Sequence, residues 1–185
     1  MLRNFYISWL LLFSSYSFSN NTQNQLKAHI ANGDFVSIHK LAIEQVKNGN
    51  CEMAVIAMEH AVKLDYPKAL LNYGNWLEHG KCVEKDYDLA FKYIEQSAQN
   101  GRPIAVAKLG WMYENGLGVK KSYKTAAQLY KKAADGGNPM AMNNLGYFYQ
   151  HGLGVPRNLE KAKNFYLKAV SLGNKLAAEN LATLL

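Results

Sequence analysis

The residues able to do chemistry are few and scattered. Five histidines, His29, His39, His60, His79 and His151, could move protons or bind a metal, yet none sits in H-E-x-x-H or in a Cys/His cluster with zinc spacing. His79 and His151 share one repeat position, with Asn115 between them, which reads as a polar residue closing a helix. G-L-G-V at Gly116–Val119 and Gly152–Val155 looks like a phosphate loop, but no Gly-Lys-Ser/Thr follows and no strand precedes it. These glycines read as turn residues. G-x-S-x-G and S-x-x-K are absent, so no nucleophile–base pair is visible. The expectation is a protein with no catalytic residues, no metal and no cofactor.

Two features remain chemically open. Cys51 and Cys82 each follow a turn glycine by two residues and look equivalent in consecutive units. Neighbouring helices lie about 8–10 Å apart, whereas a bridge needs Cα atoms within about 7 Å. A shortened first loop would bring the two closer, so pairing and two free thiols both stay open. The second feature is basicity: Lys+Arg is 21 against Asp+Glu 14, a formal charge of +7. The lysines concentrate on one set of segments, including Lys92, Lys124, Lys131, Lys132, Lys161, Lys163 and Lys168, as a solvated helix face would. No nucleic-acid partner is expected.

The elements that must position these residues follow from the pattern. With 49% hydrophobic, 19% charged and 12% aromatic residues, the chain is an ordinary folding sequence, not a disordered one. Residues 1–19 stand apart. Arg3 precedes the apolar run Phe5–Phe13 and then small residues, the layout of a signal peptide cleaved after Ser19 or Ser17. The run is too short to span a bilayer. The mature chain is expected to be exported, periplasmic or secreted, with no integral membrane span.

The remainder repeats. Pro67, Pro103 and Pro139 stand 36 residues apart, as do Gly74, Gly110 and Gly146, and Ala90, Ala126 and Ala162. Ala69, Ala105, Ala141 and Ala177 form another column. A period in this range marks a stacked array. The units are 65–100, 101–136 and 137–172, preceded by a short divergent unit at 33–64 without the G-x-G-V segment and by a cap helix at 20–32. A half unit closes the chain at 173–185. Each unit reads as two helices, A opening at the proline and B running from about Ser122 to Ala134 in the unit 101–136. Gly116 and Gly152 are expected at positive φ.

The motif A-x-x-x-L-G-x-x-Y-x-x-G-x-G-V, then K-A or T-A, an aromatic and K-A-A-x-x-G, resembles the Sel-1-like repeat family, an α/α solenoid related to tetratricopeptide repeats. The resemblance implies an all-α right-handed solenoid of helix-turn-helix repeats. It also implies a scaffold for protein–protein contacts, of the kind exported by bacteria to the envelope or toward host cells. Cysteine-rich members are linked to penicillin binding and hydrolysis, which makes a weak β-lactamase-like enzyme one alternative. A basic adhesin for glycan or lipid is the other. The family's disulfides bridge the two helices inside one repeat, a spacing Cys51 and Cys82 do not have.

Columns that vary between copies are not dictated by packing. Asn72, Lys108 and Asn144 form one, Asn75, Trp111 and Tyr147 another, and Glu78, Glu114 and Gln150 a third. In a superhelix whose A helices line the concave side, these nine residues should face a protein or peptide partner, with the scaffold itself monomeric. Trp111 and Tyr147 stand out as aromatic anchors.

Overall fold

The computed structural model describes residues 20–184, and the expected signal peptide lies outside them. Among the described residues ten helices follow one another: α1 (Asn20–Ala31), α2 (Phe35–Lys47), α3 (Cys51–Lys63), α4 (Pro67–His79), α5 (Tyr87–Gln99), α6 (Pro103–Asn115), α7 (Tyr123–Asp135), α8 (Pro139–His151), α9 (Leu159–Ser171) and α10 (Lys175–Ala182). Each packs on its chain neighbours, most closely within the pairs α2/α3, α4/α5, α6/α7 and α8/α9. The result is the all-helical α/α array that the period demands.

Local chemistry sets each boundary. Proline opens α4, α6 and α8, where the missing N–H breaks no helical bond. The B helices begin at side-chain caps: Asp86 accepts from the Leu89 N–H at 2.9 Å, Ser122 from Thr125 at 3.2 Å and Asn158 from Lys161 at 2.9 Å. Gly116 and Gly152 close α6 and α8 at φ +69° and +71°, the left-handed conformation expected of them.

Packing explains the small columns. Ala69, Ala105, Ala141 and Ala177 are fully buried on the A helices, and Ala90, Ala126 and Ala162 on the B helices. A Cβ on Gly146 would stand 2.8 Å from the Tyr166 ring, so glycine lets the paired helices approach. Tyr130 and Tyr166 are fully buried, and each donates its hydroxyl to the A helix of its own repeat. Tyr130 bonds Glu114 at 2.5 Å and Tyr166 bonds Gln150 at 2.6 Å. Burial, and then the Glu114 acceptor, push the Tyr130 hydroxyl well above its usual range. Burial and neighbouring Tyr147 push Tyr166 up to about 12.

The tyrosine–acceptor pair predicts a contrast. Glu114→Ala leaves a buried hydroxyl unpaired and should cost about 1–3 kcal/mol. Glu114→Gln reproduces the pairing found one repeat later and should cost less than about 0.5 kcal/mol. Denaturant titration of both variants checks this, and equal losses would refute it.

The cysteines are joined. Cys51 and Cys82 form a disulfide with Cα atoms 4.9 Å apart. Their equivalence fails in the structure. Only the three residues 48–50 separate α2 from α3, so Cys51 opens a B helix, whereas Cys82 lies in the A–B loop of the next repeat at φ +61°. Cys51 therefore shares a column with Tyr87 and Tyr123, and Cys82 with Gly118 and Gly154. A structural disulfide is characteristic of chains that fold outside the reducing cytosol.

Candidate functional site

The A helices build one continuous face, and most of the variable columns meet on it. Asn75, Lys108, Trp111 and Asn144 line a groove of about 380 Å³ shared by α4, α6 and α8. The Lys108 ammonium lies 4.0 Å from the Trp111 ring centroid and also pairs with the Glu78 carboxylate, crossing from α6 to α4. Trp111 is thus half-buried beneath a cation, neither core nor free.

Glu78 needs that partner. It is only 6% exposed, and the position that holds Tyr130 and Tyr166 in later repeats is Ile94 in its own. With no tyrosine hydroxyl to accept from, the carboxylate takes an ammonium from the next repeat instead. The pair neutralises the groove.

The remaining expected residues sort in different ways. Tyr147 is 42% exposed and packs against His151, with ring centroids 4.2 Å apart and the planes tilted by 45°. The Asn72 Nδ2 amide donates to His39 Nε2 at 2.8 Å, tying α4 to α2. Glu114 and Gln150 turn inward to Tyr130 and Tyr166. Gln150 also reaches the Thr183 hydroxyl at 3.2 Å. The structure thus brings Asn75, Lys108, Trp111 and Asn144 together around one groove, with Tyr147 exposed on α8, and employs Asn72, Glu114 and Gln150 in bonds between helices.

Two further residues were missed by the column comparison. Ile104 is 52% exposed and Met140 is 61% exposed, and both line the groove. They follow the repeat proline, in the column Lys68, Ile104, Met140 and Leu176. That column changes from charged to apolar between copies, a signal available in the sequence. Among the described residues, no three His, Cys, Asp or Glu side chains cluster as a metal site, and no helix is long and apolar enough to cross a membrane.

Residues 67–101, 103–138 and 139–174 each match the Sel1 repeat. The chain belongs to the Sel1 repeat family. Its similarity to solved Sel1-type structures extends further. c5321, a protective antigen present in uropathogenic Escherichia coli strains and displaying an SLR fold, superposes with a TM-score of 0.81 at 27% identity, over 87% of this chain and 35% of that one. A Sel1 repeat protein from Oxalobacter formigenes gives 0.74 at 27% identity, over 80% and 62%. Helicobacter pylori cysteine rich protein B gives 0.56 at 28% identity, over 71% and 95%. Among curated proteins, the sodium-type polar flagellar protein MotX of Vibrio parahaemolyticus is 32% identical over 59 residues, 32% of this chain and 28% of that protein. This chain spans well under half of c5321 or MotX.

Proposed function

We propose that this chain is an exported, non-catalytic Sel1-type scaffold that binds a protein or peptide partner across its A-helix face. The observation that carries the reading is the groove between α4, α6 and α8. Ile104 and Met140 offer apolar side chains to solvent beside the aromatic Trp111, and Asn75, Lys108 and Asn144 supply polar contacts around them. An aromatic centre with a polar rim is the usual anatomy of a binding hot spot. The disulfide supports export, as does the apolar segment after Arg3. The MotX likeness covers only 59 residues, so it does not extend to a place in a flagellar motor.

The test begins with capture of the partner from the exported fraction and its identification by mass spectrometry. Met140→Ala and Tyr147→Ala should then each weaken that complex by about 2 kcal/mol, with folding stability changed by less than about 0.5 kcal/mol. Lys92→Ala on the opposite face should leave the affinity as it is. Unchanged affinity in both the Met140 and the Tyr147 variant would place the interface elsewhere. Turnover of a β-lactam reporter that persists through stringent purification would instead favour an enzyme.

A further inference from the structure

On the B-helix side, α7, α8 and α9 enclose a recess of about 310 Å³ that plays no part in the A-helix groove. Tyr149 and Phe165 form its aromatic wall, with parallel rings 5.7 Å apart and an interplanar angle of 5°. The Lys161 ammonium lies 5.2 Å from the Tyr149 centroid and the Lys168 ammonium 5.8 Å from that of Phe165. Lys131 enters from α7, held by Asp135 at 2.7 Å. Asn164 completes the rim.

Three properties point the same way. The positive charge is in excess, because Lys161 and Lys168 are held by rings and not by carboxylates. The cations are also pre-positioned: a cation over an aromatic face loses less freedom on binding than a lysine fanned into water. Finally, the arrangement belongs to this junction alone among the full repeats. One repeat earlier, Lys161, Phe165 and Lys131 are replaced by Thr125, Leu129 and Glu95. The fold therefore does not require this set.

We infer that this recess binds an anionic sugar unit of an acidic polysaccharide, with Lys131, Lys161 and Lys168 contacting its carboxylate or sulfate group and Asn164 a hydroxyl. The rings serve to place the ammoniums. The two rings stack on each other and each carries a lysine ammonium, so the recess offers cations more than a bare ring face of the kind a nucleobase stacks on. The recess also holds a single sugar-sized group more readily than the broad plane of a membrane surface.

The experiment uses the full mature chain and measures binding of a size-defined sulfated oligosaccharide, a polygalacturonate oligosaccharide and neutral dextran by calorimetry. One or both acidic sugars should bind, dextran should not, and affinity should fall with salt. Lys161→Thr and Phe165→Leu install the residues of the preceding repeat, so folding is protected. Lys161→Thr should weaken binding about 10-fold, the loss of one charge-assisted hydrogen bond. Phe165→Leu keeps every charge and should still weaken binding several-fold. A Lys92→Gln/Lys124→Gln variant removes two exposed lysines outside the recess and should change affinity less than about 2-fold. Equal losses in that control, unchanged binding in Phe165→Leu, or no binding to either acidic sugar at low salt would overturn the proposal. So would vesicles of phosphatidylglycerol that compete as well as the sugars at equal charge.

Discussion

Replacing both bridge cysteines, as Cys51→Ala/Cys82→Ala, should lower stability by about 3–4 kcal/mol, the loop-closure value for a bridge spanning 31 residues. The loss should also be local. The α3–α4 junction is more sparsely packed than α5–α6 or α7–α8, and stability in an array is a sum of units and interfaces. Hydrogen exchange should therefore speed up in α2 and α3 while α6 to α9 stay protected. Uniform acceleration, or no change, would contradict this. A second variant sharpens the test. The same contact, again between residues 31 apart, is made by Tyr87 with Gly118 and by Tyr123 with Gly154. Cys51→Tyr/Cys82→Gly installs that alternative and relieves a non-glycine residue at φ +61°. It should be more stable than the double alanine variant and less stable than the bridged chain.

Gly154→Ala should cost about 3 kcal/mol or more, the other large effect. Gly154 sits at φ +64°, which alone costs an L-residue about 1–2 kcal/mol. A Cβ there would also collide with the Tyr123 carbonyl and the Lys124 N–H, which are backbone and cannot rotate away. Forcing atoms into a packed junction typically costs a further 1–3 kcal/mol or so. Gly173→Ala separates the two contributions. That glycine has φ +82° but open space around its Cα, so the variant should show only the smaller, conformational loss of about 1–2 kcal/mol. Chemical denaturation of the pair decides it. Equal losses would mean that the loop is not seated on the preceding B helix.

The period made most of the fold legible, because each column repeats one packing solution. Pro139 at a helix start, Gly152 at its end and buried Ala141 all stand where the 36-residue spacing puts them. The cysteine register was misread for a physical reason. Both cysteines follow a turn glycine, but Gly49 ends a tight A–B turn and Gly80 begins a long A–B loop, and local sequence does not tell these apart. Aligning Cys51 with Tyr87 instead of with Cys82 would have revealed the contact. The site was legible in part. Trp111 and Tyr147 both lie on A helices, Tyr147 exposed and Trp111 half-buried beneath Lys108, while Glu114 and Gln150 vary because carboxylate and amide oxygens accept equally well from a tyrosine. Chemical variation within a column thus marked exposure in one case and an interchangeable acceptor in another. The Lys108–Glu78 pair depends on Ile94 replacing a tyrosine sixteen residues along the chain from Glu78, a dependence between columns that no single column displays.

The loop-on-helix contact has a consequence for how such a chain can change length. Excising residues 101–136 would set Gly154 against Tyr87 in place of Tyr123, at the same separation and with the same residue types. A gene could gain or lose this 36-residue unit without redesigning the seam it leaves behind, although Glu78 would meet Asn144 in place of Lys108. The bridged junction has no such freedom. A unit inserted between Cys51 and Cys82 would part the two sulfurs and leave two unpaired thiols. Duplication is thus tolerated toward the carboxyl end and penalised at the amino end, so the covalent link marks one end of the array as fixed and leaves the other open to growth.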